Sequence, residues 1–193
     1  MKTIIKIMGL PRTGTNLLNA LVSLNFKNYV CNKNKWHFDV DYLGWKHDYP
    51  PDIKTVKLIE ERTNEEILFL FVNRNFESWQ EVMKVKHIDR AEFLLKFQKN
   101  LDKDPIIYST PSGPKMYYSL KHLYDDFNNS YFQFIKDNPE KSMLINYEDV
   151  CKNQEQVILS IKDKFKQLDL VYDKPINILK EINSEGRMVD FKV

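Results

Sequence analysis

The chain has 193 residues, 42% hydrophobic and 29% charged, with a formal net charge of +2. This composition excludes a disordered or fibrous chain, and the even charge balance disfavours a nucleic-acid coat or a polybasic membrane anchor. The length is that of one domain, so we expect residues 1–193 to form a single unit. The two cysteines, Cys31 and Cys151, lack metal-ligand spacing, which predicts neither a disulfide framework nor a metal site.

The location of the protein is predicted from its first residues and its longest apolar run. The N-terminus mixes apolar and charged side chains and has no small-residue cleavage site. The longest aliphatic and aromatic run, residues 67–72, is far too short to span a membrane. We therefore expect a cytoplasmic protein without a membrane or nucleic-acid partner.

The N-terminal segment predicts a strand, a loop and a helix. Residues 3–8 are mostly β-branched, residues 9–15 are mostly polar, and residues 16–24 carry leucine and valine at helical spacing. The whole chain has only 5 glycines, and two of them, Gly9 and Gly14, lie in this loop. Their presence indicates a backbone conformation or a close approach that requires glycine. In such a loop, backbone N–H groups and a helix N-terminus converge on an anion.

The next elements predict a buried strand and a second helix. Residues 28–31 fit a short strand, and the polar, aromatic-rich stretch 32–52 is typical of a loop that contacts substrate. The continuous apolar run at 67–72 predicts a strand buried on both faces of a parallel sheet. We expect a helix over residues 77–86 to follow it.

The C-terminal half completes an alternating pattern. Residues 89–138 are interpreted as mainly helical with breaks near 104–105 and 110–114, while 142–146 predicts a strand and 155–165 a helix. We expect the aromatic residues of this region to pack in the core: Tyr117, Tyr118, Tyr124, Phe127, Tyr131, Phe132 and Phe134. Strands alternating with helices predict an α/β fold with three layers, P-loop-like, in which helices flank a central parallel sheet.

The first loop differs from the Walker A loop of nucleotide kinases. Thr15 stands where the kinase lysine belongs, and Asn16 stands where serine or threonine belongs. Arg12 supplies a cation inside the loop instead, and no apolar strand ends directly in an aspartate that would hold Mg²⁺. A small P-loop nucleotide kinase is therefore the less favoured alternative.

Four segments, taken in order, resemble sulfotransferases that use 3′-phosphoadenosine 5′-phosphosulfate (PAPS). Pro11-Arg12-Thr13-Gly14-Thr15 is similar to the 5′-phosphosulfate loop of that family. The other three are Gly44-Trp45-Lys46-His47, Phe69-Leu70-Phe71-Val72-Asn73-Arg74-Asn75 and Leu144-Ile145-Asn146-Tyr147-Glu148-Asp149-Val150. In the family these segments carry the catalytic base, the arginine of the 3′-phosphate and a Tyr-Glu-Asp turn. The resemblance extends from residue 4 to about residue 165.

The resemblance implies a donor site for PAPS. The 5′-phosphosulfate would be held by Pro11, Arg12, Thr13, Gly14, Thr15 and Asn16, and the 3′-phosphate by Arg74. Many members have a serine eight residues beyond the arginine, but position 82 is Val here, and Ser78 is the nearby hydroxyl that would substitute for it. The glycine-rich basic segment near the C-terminus of many members is missing, and Arg187 is its weak counterpart.

The resemblance also implies a catalytic base. A histidine is suited to take the proton of an attacking hydroxyl or amine, because its unperturbed pKa is about 6.5. We predict that His47 is this base and that Lys46 is a second cation bridging donor and acceptor. His37 is the alternative base, in a segment that resembles heparan-type sulfotransferases except that Lys35 replaces their glutamate.

The resemblance as a whole implies a transferase that moves a sulfuryl group from PAPS to a hydroxyl or amine without a metal, releasing 3′-phosphoadenosine 5′-phosphate (PAP). The acceptor is left open among small molecules, glycans and peptides, and so is the oligomeric state. The alternatives are the nucleotide kinase and a non-catalytic nucleotide-binding module of the same fold. Glu148 and Asp149 are interpreted as structural residues that fix a turn and cap the next helix. Trp36, Trp45 and Trp79 are expected to pack in or near the core.

Overall fold

A computed structural model describes residues 2–27, 43–86, 106–178, 180–182 and 188–190. The strands are β1 (Lys2–Met8), β2 (Glu65–Asn73), β3 (Ile106–Thr110), β4 (Gly113–Tyr117), β5 (Ser142–Asn146), β6 (Lys180–Ile182) and β7 (Met188–Asp190). The helices are α1 (Thr15–Asn25), α2 (Ile53–Thr63), α3 (Phe76–Lys86), α4 (Leu120–Asp137), α5 (Tyr147–Lys152) and α6 (Gln154–Lys164). The strand predicted at residues 28–31 and the helical stretch predicted from 89 to 105 lie outside the described residues.

Three parallel strands form the central sheet. Their order is β1-β2-β5, and the register pairs Ile4 with Ile67 and Phe71 with Leu144. The central strand β2 is buried from Ile67 to Val72, so the strand predicted from the apolar run is confirmed, and the α/β class with it. The treatment of residues 1–193 as one unit stays a prediction.

The sheet separates two apolar clusters. On one face Phe69 and Phe71 pack against α2, α3 and α4, and on the other Leu68 and Leu70 pack against α1 and α6. Successive residues of a strand point to opposite faces, so an unbroken apolar run supplies both clusters. Helices therefore cover both faces of the sheet and fix the edge where its strands end.

The prediction of helix on both sides of the break at 110–114 is wrong for residues 106–109 and 115–117, because they form the antiparallel hairpin β3–β4. Residues 106–110 are β-branched or aromatic at most positions, and Gly113 turns the chain with φ 115. Of the aromatic residues predicted to be core, Tyr118 and Phe132 are exposed instead, at 69% and 44%. The prediction was wrong for these two because Tyr118 lies in the exposed connection between β4 and α4, and Phe132 lies on a face of α4 that meets water.

Two further helices were not predicted. In α2, Val56 is buried while most of its neighbours meet solvent, so the apolar pattern is thin. The short α5 begins at Tyr147, and the helix after it is capped by Asn153, whose Oδ1 accepts from the Gln156 N–H at 3.1 Å. The capping role predicted for Glu148 and Asp149 is therefore wrong. Within the described segments, none of the helices combines the length and apolarity needed to cross a bilayer.

A polar cluster joins the hairpin to α4. Oδ2 of Asp126 accepts from Tyr117 Oη at 3.0 Å, from Lys115 Nζ at 2.9 Å and from Tyr49 Oη. Burial works against ionisation of this carboxyl, but the three hydrogen bonds outweigh it and lower the pKa of Asp126. The charged form of Asp126 is therefore favoured by folding.

Asp126→Asn should lower the free energy of unfolding by about 1–2 kcal/mol near neutral pH, because three donors lose a charged acceptor in a partly solvated site. The folded pKa lies below the unfolded value of about 3.9. This stabilisation is therefore present above about pH 4 and is lost as the pH falls through the folded pKa. Urea denaturation at a series of pH values should show the difference between wild type and variant shrinking toward about pH 3.

Asp125→Asn is the matched control. Asp125 precedes Asp126 on the same helix, and its exposed side chain pairs with Lys121 one turn away. Such a pair contributes about 0.5 kcal/mol or less, so this variant should stay close to wild type. Equal losses in the two variants, or a difference for Asp126→Asn that does not change with pH, would contradict the role given to the cluster.

Candidate functional site

The turn from β1 into α1 is tight. Thr13 donates to the carbonyl of Leu10 from its backbone N–H at 3.2 Å and from Oγ1 at 2.8 Å. A Cβ on Gly9 would lie 2.6 Å from Thr13 Oγ1 and 2.7 Å from the carbonyl oxygen of Val72. Because Val72 belongs to β2, this close approach joins the loop to the central strand.

The loop enters α1 through two residues with left-handed backbone, Arg12 with φ 69 and Gly14 with φ 95. Gly14 is the N-cap, and it has no side chain that could accept a hydrogen bond from the first-turn N–H groups. The first-turn N–H groups of a helix have no acceptor within the helix, and the helix dipole makes this end positive. No acidic residue lies in the first turn of α1. The N–H groups of Thr15 and Asn16 are therefore suited to an anion.

Arg74 reaches this loop from the carboxyl end of β2. Its Nη1 donates to the carbonyl of Arg12 at 3.2 Å, and its Nε donates to Ser78 Oγ at 2.8 Å. The guanidinium carbon lies 4.4 Å from the centre of the Tyr147 ring. A guanidinium has more N–H groups than these two contacts use, so Arg74 can also bind an anion beside the loop.

Tyr147 lies at the site. From the sequence, the Tyr-Glu-Asp segment that contains it was interpreted only as a structural turn. A Cβ on Gly14 would lie 2.8 Å from Cε2 of Tyr147. The tyrosine follows β5 directly, and the carboxyl ends of parallel strands meet at one edge of the sheet. That position is the signal in the sequence that identifies Tyr147 as a neighbour of Arg74.

The segment that carries Lys46 and His47 is docked on Gly9. The N–H of Gly9 donates to the carbonyl of Lys46 at 2.9 Å, and Nδ1 of His47 lies 2.6 Å from the carbonyl of Gly9. A carbonyl can accept but not donate, so Nδ1 carries the proton, and Nε2 of the neutral ring carries the lone pair. This is the tautomer that a general base needs if Nε2 is to take a proton.

Lys46 brings a second cation to the start of α1. Its Nζ donates to Asn16 Oδ1 at 2.5 Å. Asn16 occupies the position where a Walker loop has the hydroxyl that contacts Mg²⁺. In this protein the ammonium group of Lys46 lies beside Asn16. The loop therefore has a neighbouring cation that comes from another segment of the chain.

Two buried side chains support the loop and the strand end. Trp79 is fully buried, and its Nε1 donates to the carbonyl of Pro11 at 2.8 Å. The hydroxyl of Tyr124 lies 2.8 Å from Asn73 Oδ1 and 2.6 Å from the carbonyl oxygen of Arg74, and its one proton is shared between these two acceptors. The prediction that Trp45 and Trp79 pack in the core is confirmed. Trp36 lies outside the described residues.

The structure brings most of the predicted site residues to one edge of the sheet: Pro11, Arg12, Thr13, Gly14, Thr15, Asn16, Lys46, His47, Arg74 and Ser78. His37 and Arg187 lie outside the described residues. Glu148 accepts the N–H of Asn75 at 3.0 Å, and Asp149 accepts from Asn146 at 3.0 Å. These two acidic residues hold the ends of β2 and β5.

Comparison of the chain with protein-family models, with curated proteins and with solved structures finds no match. The likeness to sulfotransferases therefore rests on four short segments. The structure places parts of all four at the carboxyl ends of β1, β2 and β5 or on the loop docked there. Open α/β sheets bind ligands at that edge.

Gly14→Ala should lower the free energy of unfolding by about 2 kcal/mol or more, since the new Cβ meets Tyr147 and the backbone keeps a left-handed φ. Gly44→Ala is the matched control, because Gly44 also has a positive φ, of 86, but a Cβ there meets nothing within 4 Å. It should cost about 1 kcal/mol from backbone strain. Urea denaturation of both variants measures the difference.

A double-mutant cycle separates the overlap from the strain. In the background of Tyr147→Ala, Gly14→Ala should lose about 1 kcal/mol less than in wild type, because the ring it would meet is gone. Equal losses in the two backgrounds would show that Tyr147 does not pack on the loop as described.

Proposed function

We propose that the protein is a PAPS-dependent sulfotransferase with a P-loop-like fold that transfers a sulfuryl group to a hydroxyl or amine acceptor. The observation that carries the proposal is that the side chains of Arg74 and Lys46 both contact the segment where β1 turns into α1, and this turn itself contains Arg12. Arg12 belongs to the turn, Arg74 donates to the carbonyl of Arg12, and Lys46 donates to Asn16 in the first turn of α1. Their positive charge, together with the end of the helix dipole, suits a ligand with several phosphate charges.

The donor set fits PAPS in two parts. The turn from Arg12 to Asn16 would hold the 5′-phosphosulfate, because its backbone N–H groups lie at a helix start without a side-chain cap among the described residues. Arg74 and Ser78, which are hydrogen-bonded to each other, would hold the 3′-phosphate. Gly14 leaves no Cβ between the first turn of α1 and the ring of Tyr147.

PAPS, when bound, supplies an activated sulfuryl group whose transfer leaves a charged bisphosphate. Arg12 and the first-turn N–H groups of α1 stabilise the charge that develops on the 5′-phosphate. His47 takes the proton of the attacking hydroxyl or amine on Nε2, while Nδ1 keeps its hydrogen bond to Gly9. Lys46 stabilises negative charge between donor and acceptor. As the acceptor bonds to sulfur, the bond from sulfur to the 5′-phosphate oxygen breaks.

The kinase alternative needs Mg²⁺ beside the loop. The amide of Asn16 replaces the hydroxyl that contacts Mg²⁺ in a Walker loop, and its Oδ1 accepts from Lys46. An ammonium group at this position repels a divalent cation. The contact between Lys46 and Asn16 therefore favours transfer without a metal.

Calorimetric titrations with PAP and with ATP, each with and without Mg²⁺, test the proposal. PAP should bind without Mg²⁺ and more tightly than ATP, because the site offers cations for a second phosphate and no metal is needed to bridge the charges. A preference for ATP that depends on Mg²⁺ would contradict the sulfotransferase and favour the kinase. If PAP binds but no labelled sulfate moves from PAPS to a broad acceptor panel, the chain is a nucleotide-binding module instead.

The same titration with Arg74→Ala assigns the 3′-phosphate. PAP affinity should fall about 10- to 100-fold, because charge-assisted hydrogen bonds to the phosphate are lost. The affinity for 5′-AMP, which lacks the 3′-phosphate, should change by less than about 3-fold. Equal losses for both nucleotides would show that Arg74 supports the loop and does not bind the phosphate. Arg62→Ala is the control, since Arg62 is exposed at the end of α2.

A further inference from the structure

The loop that carries His47 is held on its far side by two tyrosines. The hydroxyl of Tyr108, on β3, donates to the carbonyl of His47 at 2.8 Å. The hydroxyl of Tyr131, on α4, donates to the carbonyl of Asp48 at 3.1 Å. Each tyrosine is 1% exposed, so these bonds are shielded from water. The successive carbonyls of His47 and Asp48 are thus held by β3 and α4, respectively.

The carboxylate of Asp48 ties the same loop to the hairpin. Asp48 is 3% exposed, and its Oδ1 accepts the N–H of Tyr49 at 2.8 Å. Its Oδ2 accepts the N–H of Ser112 at 3.1 Å and the hydroxyl of Ser112 at 2.8 Å. The β3–β4 hairpin therefore holds the loop at two places. Ser112 binds the carboxylate of Asp48, and Tyr108 binds the carbonyl of His47.

Both tyrosines are donors throughout the physiological pH range. Burial raises the pKa of Tyr108 and of Tyr131, and nearby acidic and phenolic groups raise both further. Their hydroxyls therefore stay protonated. A carbonyl that is buried without a donor costs free energy, so each hydroxyl specifies where its carbonyl lies.

We propose that Tyr108 and Tyr131 are positioning residues that hold His47 in the tautomer and orientation of a general base. They fix the carbonyls of His47 and Asp48 on one side of the loop, and the bond between Gly9 and Nδ1 fixes the ring on the other. Together these contacts keep the proton on Nδ1 and the lone pair on Nε2. The catalytic meaning of this arrangement rests on the proposed function, whereas the positioning of the ring does not.

Phenylalanine variants separate positioning from packing. Tyr108 stacks beside Trp45 at 6.5 Å between ring centroids and meets Phe127 at 5.3 Å, and Tyr131 lies 4.9 Å from Phe71. Tyr108→Phe and Tyr131→Phe keep these ring contacts and remove the hydroxyls. Tyr118→Phe is the matched control, because it removes the hydroxyl of an exposed tyrosine that directly follows β4.

The test is the ¹⁵N spectrum of the imidazole of His47 at about pH 8, which lies above the unperturbed histidine pKa of about 6.5. His47→Gln assigns the signals. Wild type and Tyr118→Phe should show a protonated Nδ1 and an unprotonated Nε2. Each phenylalanine variant should lose this pattern in part, with the Nδ1 and Nε2 shifts moving toward each other, and the double variant should lose it fully. Unchanged ring shifts in the double variant, or in both single variants if the double variant does not fold, would overturn the proposal.

Titration of the same samples with PAP keeps the two proposals apart. The phenylalanine variants should bind PAP within about 2-fold of wild type, because neither hydroxyl contacts the loop between β1 and α1. If wild type does not bind PAP, the proposed function is wrong, whatever the histidine signals show. If PAP binds and the ring shifts do not respond to the variants, the proposed function stands and the positioning role is wrong.

Discussion

The rest of the site depends on the close approach at Gly9, where the chain leaves β1. A side chain there would meet both Thr13 and the carbonyl of Val72, so the loop lies directly against the central strand. Gly9 also gives its N–H to Lys46 and its carbonyl to His47. Because one residue joins the loop, the strand and the histidine segment, the relative positions of the three follow from the backbone and do not require long, flexible side chains.

The charges around the turn follow from this close approach. Arg74 leaves β2 beside the turn and donates to the carbonyl of Arg12, while Lys46 arrives with the segment docked on Gly9. Positive charge near the turn therefore comes from two side chains outside it, in addition to Arg12 within it. A nucleotide bisphosphate, the ligand we propose, would complement this positive charge.

Local signals in the sequence predicted part of the architecture. The apolar run from Ile67 to Val72 predicted β2, because a strand buried on both faces is apolar at every position. The change of residue pattern at Gly9 predicted the turn into α1, because a tight turn favours glycine and polar residues next to one another in the sequence. The hairpin β3–β4 was missed because its aromatic residues also fit a helix. The contact between Gly14 and Tyr147 was missed because it joins residues far apart in the chain, and no periodicity records such a contact.

The most direct test of the account is the NMR spectrum of the ¹⁵N-labelled protein titrated with PAP in the absence of Mg²⁺. The largest amide shifts should fall on Gly14, Thr15 and Asn16, together with the side-chain Nε–H of Arg74. That pattern places the two phosphates of one ligand on the turn and on the end of β2. Shifts concentrated on β3–β4, or a spectrum that PAP leaves unchanged, would contradict the central claim that this turn is a binding site for phosphates.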